Sequence, residues 1–252
     1  MRIARIAHPA GVAFVAVHGD EAAEIAEHPF GTPTFTGRKW PLADVRLLAP
    51  ILPTKIIGIG RNYADHAAEL GNEVPSEPLV FLKPNTSVIG PNVEIKIPAA
   101  SERVDFEGEL AVIIGQPCRE VSKAKAMSVV MGYTIANDVT ARDLQRKDVQ
   151  FTRAKGFDTF CPMGPFIETE FDPSDVRVVT ELDREVKQDG RTSLMVHDIP
   201  SLIEYVSGVM TLLPGDVILT GTPAGVGPMK AGQTVSVTVD GLGTLTNPVA
   251  NR

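Results

Sequence analysis

The chain has 252 residues, enough for one sizeable core or a core with a small appended module. Hydrophobic residues make up 43% and charged residues 22%, a balance that excludes a disordered chain. Its 24 basic and 31 acidic residues give a formal charge of −7 without any Lys/Arg-rich run, which argues against nucleic acid as a partner.

The amino-terminal stretch MRIARIAHPAGVAF is too short and too interrupted for a secretory h-region. No segment approaches the roughly 18–20 apolar residues that span a bilayer, so no membrane partner is expected. The two cysteines, Cys118 and Cys161, form no C-x-x-C pattern. That fits a reducing, cytoplasmic setting without a disulfide framework.

Residues 1–53 read as a small β-rich module. IARIA and VAFVAV are apolar at strand length, and Pro9 and Gly11 punctuate a hairpin between them. The Gly-, Pro- and Thr-rich run HPFGTPTFTGRKWPLADVRLLAP then leads to a boundary near Pro53, with residues 54–252 forming the larger domain. From Lys55 onward KIIGIG, PLVFLK, VEIKI, ELAVIIG, SVVMGYTIAND, DVILTGTP and QTVSVTVD recur as short Val- and Ile-rich strands. Helical patterns are few. NYADHAAELG ends with Gly71 at C′, and SKAKAMSVVMG starts at a Ser N-cap candidate. TARDLQRKD and PSLIEYVSGVMTL complete the set. Strands outnumber helices and do not alternate with them, which predicts a β-rich α+β fold rather than a doubly wound sheet.

Several residues could carry chemistry. His66 and Glu69 stand three apart on one helical face, where a carboxylate can orient an imidazole as a general base; a surface salt bridge has the same spacing. Asp105, Glu107 and Glu109 alternate in VDFEGELAVIIG, so a continuous strand would put three carboxylates on one face. Such a face is either solvated or a hard-cation site. Asp138 in IANDVTARD ends an apolar run, as a projecting ligand or as a helix N-cap. In the helix that follows, Arg142 and Gln145 share a face, while Asp143 and Lys147 have the spacing of a surface pair. Lys83 in FLKPN and Lys155 in RAKGFDTF sit in loop-like contexts, where most lysines are solvated. GDVILTGTPAGVG lacks the Lys-Ser/Thr of a P-loop, and GIGRNYAD is not a G-x-G-x-x-G fingerprint, so a nucleotide site is rejected. Without a G-x-S-x-G elbow, and without a histidine near either cysteine, covalent catalysis finds no support.

In succession, GRNYADHAAE, PLVFLKP, VDFEGELAVIIG, GYTIANDVTARDLQ, KGFDTFCPMGP and LLPGDVILTGTPAGVG make the chain resemble the fumarylacetoacetate hydrolase family, from about Lys55 to Val226 and beyond. The resemblance implies a mixed β-sheet roll or sandwich, with the short amino-terminal module of the smaller, bacterial-type members. It implies Mg²⁺, or Mn²⁺ or Ca²⁺, held by Glu107, Glu109 and Asp138, with Asp105 outside that set. By the same resemblance His66, Glu69 and Lys155 are catalytic, and Arg142, Gln145, Thr222 and Lys83 bind substrate. The implied activity is cleavage of a small anionic 2-oxo acid by a homodimeric hydrolase or decarboxylase. Acylpyruvate, fumarylpyruvate and oxaloacetate types all qualify, through a metal-stabilised enolate. An isomerase of 2-hydroxyhepta-2,4-diene-1,7-dioate and a non-catalytic metabolite-binding protein are the alternatives. One departure stands out. Where family members commonly carry an Asn-Gly turn, ELDREVKQDG has Asp183 and Arg184.

Overall fold

The computed structural model describes residues 1–252. The chain opens with strands β1 (Arg2–His8), β2 (Gly11–His18), β3 (Glu21–Ile25), β4 (Phe35–Pro41) and β5 (Arg46–Leu47). Next come β6 (Ile56–Gly60), helix α1 (Ala64–Glu69), β7 (Leu79–Lys83), β8 (Val88–Ile89), β9 (Ile95–Ile97), β10 (Val104–Phe106) and β11 (Gly108–Ile114). The middle of the chain holds β12 (Val130–Asn137), β13 (Thr140–Ala141), α2 (Arg142–Lys147), α3 (Thr152–Lys155) and β14 (Cys161–Glu168). It ends with β15 (Arg177–Leu182), β16 (Glu185–Arg191), α4 (Ile199–Val209), β17 (Val217–Leu219), β18 (Gly227–Pro228), β19 (Thr234–Val239) and β20 (Gly243–Asn251).

One sheet of twelve strands runs β4-β3-β2-β1-β14-β12-β11-β17-β6-β7, with β5 on β1 and β8 on β14. A five-stranded sheet runs β16-β15-β19-β20-β9, and a three-stranded one runs β13-β10-β18. Most pairs are antiparallel, but β17–β6, β14–β8 and β20–β9 are parallel. The fold is the β-rich, mixed-sheet α+β class expected.

Period-two alternation explains how the layers assemble. Every residue of β11 is buried, because both faces of this central strand are covered. Leu110, Val112 and Ile114 face one core, shared with Val178 and Val237 of the five-stranded sheet and Leu202 and Val206 of α4. Ala111 and Ile113 face a second core with Ile3, Ile56, Met163 and Leu219. Each fully buried Leu, Ile or Val contributes roughly 1.5–3 kcal/mol. Helix α4 starts at Asp198, whose carboxylate accepts the Ser201 amide at 3.0 Å, and its Leu202, Ile203 and Val206 stripe seals the first core.

Three local expectations are revised. SKAKAMSVV forms a 3₁₀ helix over Lys123–Val129 without a side-chain cap from Ser122, and Val130 already begins β12. The β-branched run wins because it continues the central sheet. Helix α2 starts at Arg142 after Ala141, so Asp138 is not its N-cap. Asp143 does not pair with Lys147; it accepts Ser101 Oγ at 2.6 Å and the Glu102 amide at 3.1 Å. The hairpin at Asp183-Arg184 keeps a two-residue turn, with φ of +52° and +70° at the two positions. That geometry usually selects Asn-Gly. Here Asp183 anchors it by accepting Gln233 Nε2 and the Thr234 amide, both at 2.8 Å.

Candidate metal centre and active site

The site forms where β11 begins beside the end of β12. Gly108 pairs with Asn137 and Glu109 with Ala136, so Glu107 and Asp138 lie just outside the ladder at the ends of neighbouring strands. The Asp138 amide donates to the Glu107 carbonyl at 2.8 Å, and Asn137 Oδ1 accepts the Glu107 amide at 2.9 Å. Glu107, Glu109 and Asp138 are all buried, and each can offer one oxygen within 4.8 Å of the others. The strand does not run straight through VDFEGELAVIIG as its alternation suggests. It breaks at Glu107, with β10 and β11 in different sheets. Asp105 therefore leaves the acidic face and accepts Arg103 Nε at 2.9 Å and Arg142 Nε at 3.0 Å.

Three buried cations surround the carboxylates. Lys155 Nζ donates to Glu107 Oε2 and Asp138 Oδ2, both at 2.6 Å. Arg142 donates to Glu107 Oε1 at 2.5 Å and to Gln145 Oε1 at 2.6 Å. Lys83 Nζ donates to Asp138 Oδ1 at 2.6 Å and to the Val139 carbonyl at 3.3 Å. Neither lysine is solvated as its loop-like context suggests; each is 2% exposed. Glu109 has no cationic partner and accepts only the Gly221 amide, at 2.7 Å. Its pKa is accordingly pushed well up, by burial first and then by Asp138 and Glu107. Burial also raises Glu107, but Lys155 and Arg142 outweigh it and hold that carboxyl well below the usual range.

This donor set fits a divalent cation. Hard oxygen donors converge, and Glu109 is the one carboxylate of the three without a cationic hydrogen-bond partner. Glu107, Glu109 and Asp138 would hold the ion.

A cavity of about 240 Å³ opens over the triad. His66, Arg142, Gln145, Lys155 and Thr222 line it together with the three carboxylates. Lys83 and Glu69 do not reach its wall. Lys83 braces Asp138 from behind, so its placement is not that of a substrate contact. Glu69 sits behind His66, its Oε2 3.3 Å from the imidazole Nδ1, and it also accepts the Gly225 amide. The second ring nitrogen of His66, Nε2, is left for the cavity.

The loop 221–225 ties these parts together. Its Thr222 hydroxyl donates to the Gly108 carbonyl at 2.9 Å and accepts Gln188 Nε2 at 2.7 Å. Gln188 also donates to the Pro223 carbonyl at 2.7 Å and accepts the Gly108 amide at 2.9 Å. Packing here forbids side chains: a Cβ on Gly108 would lie 2.1 Å from Thr180 Oγ1, and one on Gly225 2.0 Å from the Lys187 carbonyl oxygen. Sequence reasoning missed Gln188 and the buried Asn62, which bonds His197 and Thr220 backbone groups. A polar residue inside a strand or turn gives no sign of its burial. It also passed over Asp105 as the group that orients Arg142. Burial lifts the Cys161 thiol to about 12, in line with the exclusion of covalent chemistry.

Residues 55–250 match the family profile described as fumarylacetoacetate (FAA) hydrolase C-terminal, and residues 1–50 match one described as Rv2993c-like, N-terminal. The solved structure of 5-carboxymethyl-2-hydroxymuconate delta-isomerase from Mycobacterium smegmatis is 60% identical, with full coverage of both chains and a TM-score of 0.95. That of 2-hydroxyhepta-2,4-diene-1,7-dioate isomerase from Mycobacterium marinum is 57% identical, covers 100% of this chain and 99% of its own, and has a TM-score of 0.94. A mitochondrial oxaloacetate decarboxylase from Dictyostelium discoideum is 46% identical over 75% of this chain and 90% of its own length. Such relatives make the chain an enzyme and set aside the non-catalytic alternative. The chain belongs to the fumarylacetoacetate hydrolase family.

Proposed function

We propose that this enzyme breaks a carbon–carbon bond in a small anionic 2-oxo acid, by hydrolysis of an acylpyruvate or decarboxylation of an oxaloacetate-type diacid. The observation that carries the reading is one cavity holding both a buried carboxylate triad fit for Mg²⁺ and a carboxylate-backed histidine. When bound, the divalent ion supplies Lewis-acid polarisation of the 2-oxo group.

The chain's own residues supply the rest. Lys155 and Arg142 place fixed positive charge beside the triad, where negative charge develops on the 2-oxo oxygen as the bond breaks. Electrons of the broken bond pass into an enolate, and the departing fragment leaves as carbon dioxide or, after water adds to the acyl carbonyl, as a carboxylic acid. His66 Nε2 faces that reaction, taking a proton from water in hydrolysis or handing one on to the enolate carbon. Glu69 keeps the ring oriented through Nδ1. Gln145 fixes the substrate's carboxylate end through its Nε2, and Thr222 shapes the wall beside it. Asp105 holds the Arg142 guanidinium in place.

The test is turnover of oxaloacetate and acetylpyruvate with Mg²⁺, in the wild type and in His66→Ala. Removal of a positioned general acid–base should cost about 10²–10⁴-fold in turnover. Full turnover in His66→Ala with metal binding intact would remove the mechanism. The second reading, tautomer exchange of a 2-hydroxydienedioate, is favoured by the isomerase names of the two mycobacterial relatives. Conversion of such a diene without cleavage would select it. We further take residues 1–53 as a module apart from the catalytic domain 54–252, and the enzyme as a cytoplasmic homodimer. No helix of the chain is long and apolar enough to cross a membrane.

A further inference from the structure

Gln188 lies fully buried on β16, a strand of the five-stranded sheet, and does not line the cavity. Its side chain nevertheless joins two elements that do. The carbonyl end accepts the Gly108 amide at 2.9 Å, one residue before Glu109. The amide end donates to Thr222 Oγ1 and to the Pro223 carbonyl, both at 2.7 Å. A buried amide bonded at both ends holds strand and loop at one spacing.

The loop in turn reaches both halves of the proposed chemistry. At its start the Gly221 amide donates to Glu109 Oε2 at 2.7 Å, the only hydrogen bond this carboxylate makes within the chain. At its end the Gly225 amide donates to Glu69 at 3.1 Å, behind His66. Helix α1 carries both His66 and Glu69, and its front is tied to the same segment, where Asn62 donates to the Thr220 carbonyl at 2.8 Å. The helix therefore stands on residues 220–225.

The contact of this loop with β16 leaves no slack. A Cβ on Gly225 would lie 2.0 Å from the Lys187 carbonyl oxygen, and one on Gly190 2.5 Å from Pro223 Cβ. Closely packed backbone transmits a displacement instead of absorbing it. A shift of the loop at Gln188 thus moves the Gly221 and Gly225 amides together.

We propose that Gln188 is a positioning residue, acting through the loop 221–225 on the metal ligand Glu109 and on the Glu69 carboxylate that orients His66. The Glu69 half rests on the His66 mechanism proposed above. The Glu109 half needs only the metal.

The experiment compares the wild type with Gln188→Met, a variant of similar length that lacks the amide. Mg²⁺ affinity is measured by calorimetry. The His66 ring nitrogens are read by proton–nitrogen correlation NMR of the Mg²⁺-supplemented protein, with His66→Ala assigning the signals. Loss of a group that orients a metal ligand should weaken Mg²⁺ binding about tenfold or more. In the wild type the Nδ1–H tautomer, facing Glu69, should outweigh the Nε2–H form about tenfold, as a charge-assisted hydrogen bond provides. In Gln188→Met that ratio should fall towards parity. A purely structural role would lower Tm without changing the tautomer ratio of the folded protein. Mg²⁺ affinity within about twofold of the wild type, or an unchanged ratio in folded Gln188→Met, overturns the proposal, as does a wild-type ring without the preference. Should Gln188→Met fail to fold, Gly190→Ala carries the same two measurements, because it removes no hydrogen-bonding group and still displaces Pro223. Both readouts should then move in the same directions, and a variant that moves neither overturns the proposal. Neither readout depends on turnover. A wild type that cleaves neither oxaloacetate nor acetylpyruvate therefore refutes the cleavage reading and leaves the positioning role to be decided by these two shifts.

Discussion

Glu109→Gln is expected to stabilise the metal-free protein while abolishing its response to metal. Glu109 lies within 4.8 Å of both Glu107 and Asp138 and has no cationic partner of its own. At that separation each like-charge pair costs about 3.5 kcal/mol, with an effective dielectric constant of about 20. Attraction to Lys155 and partial protonation of Glu109 offset much of this, so a neutral amide should return roughly 1–3 kcal/mol. For a chain of this size, that raises Tm by about 3–10 °C. The pH dependence has a definite sign. A carboxyl whose folded pKa is raised contributes stability that is complete below the unfolded value near 4.5. That contribution is lost as pH rises through the folded pKa. Metal-free wild type should therefore lose stability over that window, and the variant should lose less. Mg²⁺ at about 100 times its Kd should add about 2.7 kcal/mol to the wild type and nothing to the variant. Thermal melts across pH, with and without Mg²⁺, check all of this. A variant that melts lower without metal, or responds to Mg²⁺ like the wild type, refutes the charge accounting.

Lys155→Met removes two buried ion pairs and leaves Glu107 to Arg142 and Asp138 to Lys83. It should cost about 3–5 kcal/mol, seen as a large drop in Tm, together with loss of oxaloacetate turnover. Arg184→Gly should act in the opposite direction. Arg184 is exposed at φ +70°, where a non-glycine residue costs about 1–2 kcal/mol; glycine's entropy returns part of that, for a net gain of about 1 kcal/mol. Denaturant melts will read this gain, and turnover should not change.

The fold was legible wherever a residue's own chemistry fixed its neighbours. Val- and Ile-rich runs of strand length marked β11, β12 and β19, and Gly71 closes α1 at φ +67° as its C′ position predicts. The break at Glu107 was not legible, because the residues on either side keep the same alternation while joining different sheets. Burial of charge was the second blind spot. Lys83 and Lys155 carry no local mark of being interior, since what makes their burial tolerable is Asp138 and Glu107, distant in sequence. Gln188 was invisible for the same reason: its three side-chain hydrogen-bonding partners arrive from β11 and the loop 221–225. The acidic triad itself was legible through motif order rather than spacing.

The joint between β1 and β14 has a consequence for how such chains can be remodelled. The amino-terminal strands attach to the central sheet through a register of two residue pairs, Arg2 with Glu168 and Ile3 with Ile167. The terminal ammonium adds a contact to Glu168 at 2.9 Å. The acid cluster lies two strands further in and shares no hydrogen bond with this seam. A graft or deletion here would uncover β14 at Ile167 and Glu168, the two positions that β1 pairs, and an uncovered strand edge is open to pairing with another chain. The front of the chain nevertheless shares a buried core with the strand that carries Glu109, through Ile3 and Ile25 beside Ala111 and Ile113, so an exchanged module would have to refill that core.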